Sequence, residues 1–194
     1  HMRVAAMDTP TARVVEETAA ALAEIARALG GRTLGLFTSL ARMNQVAELL
    51  DRELRGEGFE ILAPRRASDD PAALVERFTR ARGGAILLGA RTFWQGLDIP
   101  GEDLQAVVIE KLPFEVPTEL RKRREGRIRE AGGDPFDRFA LGKMLLNLKQ
   151  MAGRLIRSEA DRGIVVIVEA RTGKGYFRKL ASALPPGVPP RVVR

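Results

Sequence analysis

The segment Gln150-Met-Ala-Gly-Arg-Leu-Ile-Arg157 sets two arginines three residues apart at the end of a long helical pattern. Positions i and i+3 share a helix face, so Arg154 and Arg157 are expected to point the same way. A guanidinium is planar, permanently charged and matched in shape to phosphoryl oxygens. Two of them offered together at the edge of a sheet suit the stabilisation of charge in phosphoryl transfer, as arginine fingers. The competing reading is a pair of surface arginines closing a helix, where the macrodipole favours positive charge.

Two other loops carry chemistry-bearing residues. In Phe37-Thr38-Ser39 an apolar run turns into a helix, and two hydroxyls with helix-start amides make a seat for a phosphate; an ordinary Ser/Thr cap is the alternative. The stretch Gly89-Ala-Arg-Thr-Phe-Trp-Gln-Gly-Leu-Asp98-Ile-Pro-Gly101 follows a buried-looking run and holds the only tryptophan. Gly89 and Gly96 allow close backbone approach to a ligand. Asp98 could accept hydrogen bonds from ribose hydroxyls or act as a local cap, and Trp94 suits a core anchor.

These loops need elements to hold them, and the hydrophobic pattern supplies an alternation of helix and strand. Helical periodicity covers residues 10–29, 40–54, 71–80, 117–131, 136–157 and 175–183. Short apolar runs at 33–37, 59–62, 85–88, 104–109 and 163–168 read as strands, several with no polar alternation, as expected of strands buried on both faces. Strands alternating with helices predict an α/β fold: one mostly parallel sheet covered by helices on both faces. In such folds ligands gather at the carboxyl ends of the strands, and all three loops are expected there. Residues 1–2 resemble a cloning scar, which would make the chain an excised fragment. Residues 3–184 form the expected domain, and 185–194 a Pro-rich tail without regular structure.

Composition narrows the chemistry. The 194 residues contain no cysteine, and the only histidine is His1. Disulfides, thiolate metal sites, histidine acid–base catalysis and the usual zinc sites are therefore excluded within this sequence. The 32 basic against 25 acidic residues give a net charge of +7, which suits a polyanionic partner. No apolar run approaches the roughly 20 residues that span a bilayer, and no signal peptide is evident. Arg171-Thr-Gly-Lys-Gly175 imitates the end of a phosphate-binding P-loop. It has Val168 where the first glycine is needed and Gly175 where Ser or Thr should bind magnesium. The basic run Arg121-Lys-Arg-Arg124, with Arg127 and Arg129, wraps most of a helix and reads as a solvated surface.

In order and spacing, the three loops resemble motifs IV, V and VI of superfamily-two helicases. The text is similar in detail to the DinG/XPD branch: Ile86 to Gly101 resembles its motif V, and Gln150 to Arg157 with Asp161-Arg-Gly-Ile-Val-Val-Ile167 its motif VI and following strand. Val108-Ile-Glu-Lys-Leu-Pro-Phe-Glu-Val-Pro117 and Gly133-Asp-Pro-Phe136 resemble the intervening text.

The resemblance implies a RecA-like three-layer sandwich, the second motor domain of a DNA helicase, with ATP in the cleft against a first motor domain. It implies Arg157 as the main finger, Arg154 assisting, and Gln150, Gly153, Gly96 and Asp98 at the nucleotide. Thr38, Ser39, Gly89, Arg91 and Thr92 would contact single-stranded DNA. The expected partners are that DNA and a first motor domain of the same parent chain, with no membrane, in a monomeric cytoplasmic protein. ATP and Mg2+ would be held mainly by the first motor half, and any iron–sulfur cluster would lie there too. The family usually has Glu where Gln95 stands. No Walker A loop or acidic Walker B box is present here, so this chain alone is expected to hydrolyse no ATP. A stand-alone nucleic-acid-binding module and a small-molecule α/β enzyme are the rival readings.

Overall fold

The computed structural model describes residues 2–3, 11–65, 69–81, 84–90, 99, 103–115, 118–155, 162–169, 173–184 and 191–193. The elements follow the alternation read above: β1 Met2–Arg3, α1 Thr11–Leu29, β2 Thr33–Leu36, α2 Leu40–Glu53, β3 Glu60–Leu62, α3 Pro71–Arg80, β4 Ala85–Gly89, β5 Ala106–Lys111, α4 Glu119–Glu130, α5 Leu141–Ala152, β6 Ile164–Glu169 and β7 Val192–Val193. A π-helical turn, Phe136–Ala140, leads into α5, and the last helical segment, Gly175–Ala183, is a 3-10 helix.

Five strands form one wholly parallel sheet in the order β3-β4-β2-β5-β6. Side chains alternate across each strand, and the two faces gather separate cores. Ile86, Leu88, Val108 and Val166 pack with α1 and α2. Leu34, Leu87, Val107 and Ile167 face the opposite way, onto α3, α5 and the 3-10 helix. The three-layer arrangement expected from sequence is therefore present.

Local chemistry sets the helix ends. Ser39 and Asp70 cap α2 and α3, and Pro71 opens α3 with its φ already suited to a helix. Gly30 and Gly31 end α1 at positive φ, and a Cβ on Gly31 would stand 2.6 Å from the Ala85 backbone nitrogen. The layer of α1 and α2 is tied at its surface by Arg27, whose Nε and Nη2 donate to Glu57 at 2.8 and 2.7 Å and whose Nη1 donates to Glu53 at 3.1 Å.

Those hydrogen bonds from Arg27 hold the Glu57 carboxyl below its ordinary range. A carboxyl lowered on folding contributes stability above its unfolded pKa, about 4.3 for Glu, and loses it as pH falls through the folded value. Glu57→Gln is accordingly expected to lower Tm slightly and evenly between about pH 5 and 7, with the difference vanishing in more acidic buffer. A difference unchanged at low pH would show that charge is not what the pair contributes.

Two details depart from the sequence pattern. The strand expected from residue 104 begins at Ala106, where the pairing with Thr33 and Ile164 starts. The end of the Pro-rich tail is also in a strand: Val192–Val193 pairs in parallel with Met2–Arg3. Residues 185–190 of that tail lie outside the described set.

Candidate functional site

The carboxyl edge of the sheet is built around a buried charge. Glu110, next to last in β5, is wholly buried, and its Oε1 lies 2.6 Å from Nη1 of Arg42 in the first turn of α2. Thr38 donates its hydroxyl to Oε2 of the same carboxylate at 3.4 Å. Ser39 accepts from the Arg42 amide at 3.5 Å as the N-cap of α2. Phe37 is buried, and its amide donates to the Gly89 carbonyl at 2.9 Å, which carries the pairing of β2 with β4 past the strand end. Thr38, Ser39 and Gly89 are thus brought together at the ends of adjacent strands.

The hydroxyls are occupied differently from the sequence expectation. Thr38 spends its proton inward on Glu110, so what the loop offers outward is the Ser39 hydroxyl proton and the amides at the start of α2, with the helix dipole behind them. Glu110 was not singled out from sequence. Its signal was there, in a carboxylate that interrupts the apolar run Val107-Val-Ile: a charge at a buried position needs a partner.

Gln150, Gly153 and Arg154 are not at this edge. α5 ends at Gly153, and the following Leu155 is buried beside Gly163 and the Gln105 carbonyl, at the foot of β5 and β6. A helix that leads into a parallel strand must run against it and so ends at that strand's amino end. The expectation that all three loops share the carboxyl edge is corrected on that ground. Met151, Ala152 and Leu155 anchor the segment in the core, which leaves Gln150, Gly153 and Arg154 on the outer side. Arg154 turns its Nε back to the Gln150 carbonyl at 3.3 Å, holding the helix end. Arg91, Thr92, Gly96, Asp98 and Arg157, with Trp94 and Gln95, lie outside the described residues.

The basic helix α4 has no buried residue, as a solvated surface requires. Its Arg124 and Arg121 guanidinium carbons stand 4.9 and 5.9 Å from the Phe139 ring centroid, and Arg121 also donates to the Glu115 carbonyl. Cation–π contact with one ring therefore docks a helix that contributes nothing to the core. Among the described residues no cluster of three carboxylate, histidine or thiol side chains could hold a metal ion, and no helix is long and apolar enough to cross a membrane.

The family model described as the helicase C-terminal domain matches residues 22–187. The chain belongs to that family. It is 36% identical over 167 residues to the ATP-dependent helicase DinG of Mycobacterium tuberculosis, covering 85% of this chain and 24% of that protein. It is 37% identical over 172 residues to the ATP-dependent DNA helicase YoaA of Escherichia coli, covering 88% and 26%. The chain thus spans about a quarter of the length of each of these curated relatives. A solved XPD helicase superposes with a TM-score of 0.68 at 18% identity, over 93% of this chain and 32% of that one. The fold of this helicase C-terminal domain is RecA-like, and the DinG/XPD resemblance read from its motifs holds.

Proposed function

We propose that this domain is the second motor half of an ATP-dependent DNA helicase. One rim of the sheet would complete an ATP site, and the other would grip single-stranded DNA. The observation that carries the reading is the separation of the motif residues: Thr38, Ser39 and Gly89 at the carboxyl edge, and Gln150, Gly153 and Arg154 at the amino edge.

The amino-edge group fits only part of a nucleotide. Arg154, with Gln150 and Gly153 beside it, would supply positive charge for a terminal phosphate; Arg157, three residues on in sequence, is proposed as the main finger, and Gly96 and Asp98 as further nucleotide contacts. This sequence has no phosphate-cradling P-loop and no acidic box for Mg2+, so those tasks fall to a first motor domain. What this chain would contribute is charge stabilisation at the phosphoryl group in transfer, by guanidiniums that follow a core-anchored helix end in sequence. At the carboxyl edge, the Ser39 hydroxyl, the α2 amides and the loop Gly89, Arg91 and Thr92 would hold backbone phosphates. Two states with different affinity for ATP then have different grips on the strand, the condition for directed stepping.

The test compares DNA-stimulated ATP hydrolysis by this chain alone and by a polypeptide joining it to a first motor domain bearing the triphosphate loop and acidic box. Turnover is expected only from the joined protein. Hydrolysis by the isolated chain, or none by the joined one with both halves folded, would overturn the proposal.

A further inference from the structure

The carboxyl edge continues past Thr38 into a cleft that the motif residues leave unused. Three rings meet there: Phe114 just beyond β5, Phe136 at the start of the π-helical turn, and Tyr176 in the 3-10 helix. Their centroids are 5.9, 5.7 and 5.4 Å apart. They line an open cleft of about 650 Å³ together with Asp137, Lys174, Gly175 and Lys179. Tyr176 is largely buried and anchors the group, whereas Phe114 and Phe136 are only half-buried. Asn147 of α5 donates to the Pro113 carbonyl at 3.3 Å and fixes the loop that presents Phe114.

We propose that this cleft is a base-stacking subsite for single-stranded DNA, continuous with the Thr38–Ser39 loop; the inference rests on the DNA-gripping role proposed above for that edge. Its size is that of a small-ligand pocket, roughly 300–1,000 Å³. Its chemistry is that of a nucleotide: aromatic surface for a base, ammonium groups for the phosphate. Lys174 and Lys179 face one carboxylate, Asp137, which lies 3.8 Å from Lys179, so the rim is net positive.

Topology supplies the continuity. In the order β4-β2-β5-β6 the loop after β5 is one strand from Thr38, and the segment after β6 is two. At about 4.8 Å per strand, a DNA strand crossing the carboxyl edge from Gly89 past Ser39 comes next to Phe114 and Lys174, on the side of the sheet that carries α5. The backbone contacts at the first two loops are indifferent to the base. The cleft adds a hold that is lost when the base is absent.

The experiment measures binding of this chain, by fluorescence anisotropy, to a labelled thymidylate oligomer and to an abasic oligomer of equal length. Wild type, Phe136→Leu and Lys174→Gln are compared over a salt series. The wild type is expected to favour the thymidylate oligomer about tenfold. Phe136→Leu keeps the apolar bulk but no flat ring, and should lose that preference with abasic binding unchanged. Lys174 is exposed, so Lys174→Gln leaves the fold intact. It should weaken both oligomers and reduce the salt slope by about one. If Phe136→Leu does not fold, the lysine variant carries the test. Wild-type affinity in these variants overturns the subsite while the DNA grip stands. Failure of the wild type to bind either oligomer overturns the DNA reading, and the subsite with it.

Discussion

In a polypeptide joining this chain to a first motor domain, as proposed above, Arg157→Ala is expected to lower DNA-stimulated ATP turnover by about a hundredfold or more, with DNA affinity and thermal stability as in the unsubstituted protein. A finger acts on charge that develops only in the transition state, so its removal falls on kcat and not on substrate binding. Arg154→Ala should behave differently. Its Nε already donates to the Gln150 carbonyl, so that variant loses a helix-end contact, worth under about 1 kcal/mol, along with a smaller share of turnover. Single-turnover hydrolysis at saturating ATP, measured beside DNA binding and melting curves, separates the two. Unchanged turnover in Arg157→Ala would make that arginine structural and favour a domain that only binds nucleic acid.

Arg42→Ala is expected to destabilise the domain by about 3–5 kcal/mol, because it removes a cation that lies 2.6 Å from a wholly buried carboxylate. That is a large share of a typical folding free energy of about 5–15 kcal/mol. Glu110→Gln should cost less: the Arg42 side chain is 15% exposed and can turn to water, whereas Glu110 cannot. Replacing both residues by apolar ones of similar volume should recover most of the loss, since a desolvated pair is costly to break but adds little over good packing. Urea unfolding of the two single variants and the double variant closes the cycle. A cost under about 1 kcal/mol for Arg42→Ala would mean that the carboxylate finds water or another partner. A quieter readout follows from Thr38, which shares the same carboxylate. Its loop should loosen in Glu110→Gln even where the domain stays folded.

The fold was legible because its signals are local. The buried strands open on unbroken apolar runs, Ala85-Ile-Leu-Leu88 and Ala106-Val-Val-Ile109, and Ser39 and Asp70 announce the helices α2 and α3. The candidate site residues were read as text, from the spacing of Gln150-x-x-Gly-Arg-x-x-Arg157, and their roles stand as proposals. Their distribution between the two edges was not read, although the sequence contained it: the helix over 141–152 precedes a parallel strand, so it must end at the amino edge. Glu110 and Arg42 lie 68 positions apart in the chain, and Phe114, Phe136 and Tyr176 come from three separate segments. Meetings of that kind depend on strand order, which periodicity does not encode.

The two rims are separated by the full length of the strands, about 20 Å for the six residues of β5. Along the three central strands the space between is filled by side chains that are almost all buried. A close-packed parallel sheet neither stretches nor shears at small cost, so a push at one rim is not absorbed on the way to the other. On the proposed reading the domain would be a stiff lever arm: a small tilt about the rim proposed for the nucleotide would become a translation of several ångströms at the rim proposed for DNA, set by the length of a β-strand.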